Sequence, residues 1–129
     1  VAGGINAAMD GTKIDLALGI GGCPEGVATA CAVKALGGFI QGMLAPLNDD
    51  ERARGEAAGL RFDYAYGADE LVRSDNTIFV ATGVTDGGLV AGVDRAGKFV
   101  HTESIILRAR SGTIRRVKAT HLAEKWLEA

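Results

Sequence analysis

Between Ile14 and Leu36 the chain changes its apolar period once, and that change limits what it can fold into. Ile14, Leu16, Leu18 and Ile20 alternate with Asp15, Ala17 and Gly19, the two-residue period of a strand with one bulky and one small face. Gly21-Gly22 breaks the pattern. Pro24 then opens a stretch to Leu36 in which only Glu25, Thr29 and Lys34 interrupt the apolar residues. Proline suits a first helical turn, where its missing N–H would be unpaired anyway. A helix apolar on nearly every side is expected between layers, and Gly37-Gly38 ends it.

The rest of the chain continues this alternation of strands and helices. An Ala-rich helix over residues 2–9 precedes the Asp10-Gly11 turn. Phe39–Leu44 reads as a strand closed by Pro46. Asn48-Asp49-Asp50-Glu51 starts an exposed polar helix that ends before Gly59. Phe62–Tyr66 reads as a short strand and Asp69–Arg73 as a helical turn. Thr77–Ala81 is continuously apolar, as expected of a strand covered on both faces. Thr102–Arg110 and Thr113–Thr120 form a hairpin about Ser111-Gly112, with a helix or tail over His121–Ala129. The expected fold is α/β: one domain over residues 1–129, with a mixed, mainly parallel sheet flanked by helices and a C-terminal antiparallel hairpin.

The 129 residues are 47% hydrophobic, enough for one core. The balance of 14 basic against 16 acidic residues gives no reason to expect a nucleic-acid or anionic-membrane partner. Cys23 and Cys31 make neither a disulfide framework nor a zinc pattern, and a reducing cytoplasm is the simplest setting. No apolar run approaches the ~18 residues of a membrane span, and Val1-Ala2-Gly3-Gly4 is not a signal peptide. A chain that opens on Val1 mid-pattern is expected to be a fragment.

Three places could carry chemistry. In Gly19–Gly26 the glycines let a ligand approach closely, and the helix start offers N–H groups to a phosphate. Glu25 could hold a divalent metal there. Spacing alone equally suits a tight turn with Glu25 facing the helix dipole, and there is no Gly-Lys-Ser/Thr of a P-loop. Ala81–Gly88 follows an apolar strand. Its Thr82, Thr85 and Asp86 could touch a ligand, though such residues commonly bond turn backbone. Arg108, Arg110, Arg115, Arg116 and Lys118 could bind phosphate or form a solvated edge. His101 and His121 show no catalytic partner, and Cys23 reads as a small packing residue.

Ile20-Gly21-Gly22-Cys23-Pro24-Glu25-Gly26-Val27 resembles the Ile-Gly-Gly-Ala-Pro-Glu-Gly-Val signature of class II fructose-1,6-bisphosphatases. Further matches keep that family's order: Ala35–Gly38 with Gln41–Leu44, Ser74–Phe79, Ala81–Gly87, Thr102–Ser104 and Ser111–Arg116. The resemblance covers nearly the whole chain but only the C-terminal part of such an enzyme. It implies an absent N-terminal portion, similar to the inositol-monophosphatase superfamily, that carries most of the acidic metal ligands. The family's Asp-Gly-Asp substrate motif would fall just before Val1.

By this resemblance Glu25 is a metal ligand, Gly22 contacts substrate, and Gly21 shapes the same loop. Cys23 replaces a usual Ala, and Gly88 stands where the family usually has Asp or Glu. The implied activity is hydrolysis of the 1-phosphate of fructose 1,6-bisphosphate, with Mn²⁺ or Mg²⁺, in gluconeogenesis. Sedoheptulose 1,7-bisphosphate is a second substrate in some relatives. The fragment is expected to be inactive without its N-terminal portion, and a homo-oligomer is expected. The alternatives are a non-catalytic sugar-phosphate or metal-binding module and a structural, self-associating fragment.

Overall fold

A computed structural model describes residues 1–126. Helix α1 (Ala2–Ala8) buries Ile5, and the Thr12 hydroxyl donates to the Asn6 carbonyl at 2.6 Å just past the helix end. Helix α2 (Cys23–Ala35) carries proline in its first turn, as expected, but only its second half is buried, through Ala30, Ala32, Val33 and Ala35. Its end is a Schellman turn. Gly37 takes φ +71°, its N–H reaches the Lys34 carbonyl, and the Gly38 N–H reaches that of Val33.

Strand β1 (Gln41–Met43) pairs antiparallel with β2 (Ala65–Gly67). Between them runs α3 (Asp49–Ala57), exposed as its charges require. The Asn48 side chain accepts the Glu51 N–H at 2.9 Å, and the Glu51 carboxylate accepts the Leu47 N–H at 2.8 Å. The short helix α4 (Ala68–Leu71) follows β2 directly.

A four-stranded sheet makes the other layer. Its central strand is β5 (Phe99–Arg108), paired along its whole length with β6 (Thr113–Leu122). The opposite edge of β5 is shared by β3 (Ile78–Thr82) and β4 (Asp94–Ala96). A last turn of helix, α5 (Ala123–Trp126), closes the described chain. The remainder of the expected C-terminal helix or tail, residues 127–129, lies outside the described residues.

All pairings are antiparallel, which corrects the expectation of a mainly parallel sheet. The connections explain the β4–β5 and β5–β6 pairings. Gly97 at φ +60° and Gly112 at φ +58° close tight turns between sequence neighbours, whereas parallel neighbours need a crossover of a dozen or more residues. The expected strand Ile14–Ile20 is absent from both sheets. Among the described residues it is unpaired and without regular structure, with Leu18 87% and Ile20 100% exposed.

The core lies between α1–α2 and one face of the larger sheet: Ile5, Ala32, Ala35, Leu89, Ile105 and Leu107, with Phe79 and Ala81 packed against it. Strand β3 is therefore covered on one face, not two. Ile78 and Val80, at alternate positions, stay 60% and 59% exposed. Among the described residues no helix is long and apolar enough to cross a membrane.

Candidate active site

Extended backbone at Gly22 (φ −64°, ψ 151°) turns the chain into α2. The Gly22 carbonyl accepts the first helical bond, from the Gly26 N–H at 3.0 Å. The Glu25 carboxylate folds back over Gly22 and occupies the space where a side chain would start, so a Cβ there would have to push this flexible side chain aside. The Thr29 hydroxyl donates to the Glu25 carbonyl at 2.7 Å, closing that turn. Gly22 and Glu25 are thus in contact, while Gly21 beside them has open space around it. Cys23 is exposed rather than packed, because the first half of α2 has no layer against it.

A hard carboxylate suits Mn²⁺ or Mg²⁺, but such ions take about six oxygen ligands. Among the described residues no three of His, Cys, Asp and Glu gather closely enough to hold a metal. Glu25 therefore has no such group around it among the described residues. A cavity of about 390 Å³ lies at the opposite end of α2, lined by Met9, Leu36, Ala109 and Ile114 among others. The helix rise puts Lys34, on that cavity's wall, ~14 Å along the axis from Glu25, so the cavity is not part of the Glu25 site.

In the second candidate loop Thr82 and Asp86 are satisfied internally, while Thr85 is exposed. Asp86 Oδ1 accepts the Gly92 N–H at 2.9 Å, and the Thr82 and Ser104 hydroxyls are 2.8 Å apart. Glu103 Oε2 accepts the Ala91 N–H at 2.7 Å. Arg116 leaves the basic edge to join this loop. Its Nη1 donates to the Leu89 carbonyl at 2.8 Å and lies 3.8 Å from Glu103 Oε1. A Cβ at Gly88 would stand 2.9 Å from Asn6 Nδ2, so an acid at that position would face an amide donor on α1. His101 and His121 pair across the β5–β6 ladder with Thr120 and Thr102, at 3.0 and 3.1 Å.

Sequence reasoning missed the role of Lys34. Its ammonium meets Asp75 at 2.8 Å, Asp69 at 2.9 Å and the Val72 carbonyl at 2.9 Å, fastening α2 to α4 and to the approach to β3. Its bond to Asp75, then that to Asp69, pushes the Lys34 pKa up, and the same lysine holds the Asp75 carboxyl below its ordinary value. A lone lysine among alanines and valines was the available signal, because a largely covered charge needs partners.

These features define an α/β chain with a glycine-bordered carboxylate at a helix start. Across residues 1–121 it matches the family described as bacterial fructose-1,6-bisphosphatase, glpX-encoded, and it belongs to that family. The class 2 fructose-1,6-bisphosphatase of Haemophilus influenzae is 39% identical over 134 residues, covering 94% of this chain and 40% of that protein. Fructose-1,6-bisphosphatase 1 class 2 of Escherichia coli K12 is 36% identical, covering 97% of this chain and 41% of that protein. The chain spans about two-fifths of the length of these relatives.

Proposed function

We propose that this chain is the C-terminal part of a metal-dependent sugar-bisphosphate phosphatase. The reaction adds water to the 1-phosphate of fructose 1,6-bisphosphate and releases fructose 6-phosphate and inorganic phosphate. That places it in cytoplasmic gluconeogenesis. The carrying observation is the Glu25 carboxylate held against Gly22 at the start of α2, in a chain that matches the family over residues 1–121.

In this reading Glu25 gives one ligand to Mn²⁺ or Mg²⁺. Gly21, with open space around it, offers its backbone to the sugar phosphate, and Gly22 does so once the Glu25 carboxylate turns from it to the metal. When bound, such a metal polarises the phosphoryl group and activates water. The other ligands come from an N-terminal portion of the kind the longer relatives carry, so the chain alone is inactive. A homo-oligomer is part of the same proposal and is read by light scattering.

The test is Mn²⁺-dependent phosphate release from fructose 1,6-bisphosphate. The chain is assayed alone and fused behind the N-terminal three-fifths of the Haemophilus influenzae relative, each with and without Glu25→Ala. Release by the fusion that falls at least ~100-fold in Glu25→Ala is expected, a loss on the scale of removing a directly acting catalytic group. Equal rates in the fusion and its variant would refute the role of Glu25. Release by the chain alone would refute the incomplete site.

A further inference from the structure

We infer that Ile14–Ile20 is a docking strand that completes a sheet in the N-terminal portion of the same enzyme, an inference that rests on the reading just proposed. The segment belongs to no helix or strand, and none of its backbone groups takes part in a backbone hydrogen bond among the described residues. It is strung between two anchored helices, α1 through buried Ile5 and α2 through buried Ala32 and Val33. In the sequence Ile14, Leu16, Leu18 and Ile20 alternate with Asp15, Ala17 and Gly19, and all four large apolar side chains are exposed.

Period two selects a sheet as the acceptor, because a helical groove would read positions three and four apart. Edge strands that remain in water are defended by lysines, prolines or bulges. Residues 14–20 have no proline and no lysine, and their one charge is Asp15. The pattern is that of a strand meant to be paired. The occupant follows from length. The relatives that match nearly all of this chain leave about three-fifths of their own length outside it, ample for a sheet. Ile20 lies only five positions before Glu25, so pairing the strand would also fix where that carboxylate stands against the donors the N-terminal portion brings.

Hydrogen exchange followed by mass spectrometry tests this on the peptide covering 13–22. It is measured in the chain at low and high concentration, and in the fusion described above. Exchange at the free-chain rate is expected in the chain alone, with at least ~100-fold slowing in the fusion, while the exposed helix α3 is unchanged. Leu18→Asp in the fusion should restore fast exchange at 13–22, and Val80→Asp should not.

Because Leu18→Asp can unfold the fusion, the unsubstituted fusion decides. Fast exchange at 13–22 while 99–108 stays protected would overturn the inference. Slow exchange in the dilute chain would mean pairing within the chain, and slowing only at high concentration would mean pairing with a second copy; either overturns it too. Protection without phosphate release would leave the docking strand standing and remove the phosphatase reading. Release without protection would do the reverse.

Discussion

Truncating Leu107 should cost far more than truncating Val80, although both sit in the same sheet one strand apart. Leu107 is completely buried and pairs with Phe79 on one side and Ile114 on the other. Leu107→Ala removes three carbons, about 2.4 kcal/mol at ~0.8 kcal/mol per buried CH₂. The cavity left behind raises that to about 3–4 kcal/mol, inside the range of ~2–5 kcal/mol for buried Leu→Ala changes. Val80 is 59% exposed. Val80→Ala removes two carbons already largely in water, so about 0.5–1 kcal/mol is expected once strand preference is included.

Among the described residues three of the ten buried apolar ones are alanines, so each large core side chain carries much of a total stability of ~5–15 kcal/mol. With a urea slope of ~1.5 kcal/mol/M, the Leu107→Ala midpoint should fall by ~2 M and that of Val80→Ala by under ~0.7 M. Urea unfolding followed by far-UV circular dichroism reads both. Similar shifts for the two variants would refute a sheet covered by α1 and α2 on one face only. A strand covered on both faces, as its sequence suggests, would give ~2 kcal/mol or more at Val80 as well.

Two further predictions concern the lysine clasp and the second loop. Raised Lys34 contributes below its unfolded pKa and loses that contribution as pH rises through its folded one; depressed Asp75 contributes above its unfolded pKa and loses it as pH falls through its folded one. The gap in urea midpoint between the natural chain and Lys34→Met should therefore be widest near neutrality and narrow below about pH 4; a gap constant from acid to neutral pH would refute the ionic origin. Gly83→Ala would drive a Cβ into the Ala91 carbonyl, a backbone atom that cannot swing aside. It should lower stability by ~3 kcal/mol or more, whereas Gly97→Ala, at φ +60° with open space around it, should lose only ~1 kcal/mol to backbone strain; thermal unfolding of the pair separates steric from conformational cost.

What was legible in the sequence was local. Pro24 and Gly37 bracket α2, Asn48 caps α3, and Ser111-Gly112 marks the β5–β6 turn, each because a few neighbouring residues decide the backbone there. Pairing was not legible. Strand β4, Asp94-Arg95-Ala96, has no apolar alternation and exists because the Gly97 turn folds it onto β5. The continuous apolar run at Thr77–Ala81 reports high hydrophobicity, not which faces are covered; Phe79 and Ala81 reach the core while Ile78 and Val80 do not. Ile14–Ile20 has the pattern of a strand, but a strand also needs a partner's backbone, which a pattern cannot supply.

The two motifs that stood out as chemical candidates end in opposite physical states. Every polar side chain traced in the second loop is answered from within the chain: Asp86 by the Gly92 amide, Glu103 by the Ala91 amide, Arg116 by the Leu89 carbonyl and Thr82 by Ser104. That loop holds its own shape, and Arg116 is bound into it. At the first motif Glu25 lies over Gly22, and among the described residues no cluster of other metal-ligating side chains surrounds it. The strand leading to it is unpaired and its apolar row is in water. Unanswered carboxylate, unpaired backbone and exposed apolar side chains fall within a dozen consecutive residues. One surface that supplies oxygen ligands, main-chain partners and apolar cover together would satisfy all three, which is why the metal-ligand role proposed for Glu25 and the docking proposed for Ile14–Ile20 call on the same proposed N-terminal portion while remaining open to separate refutation.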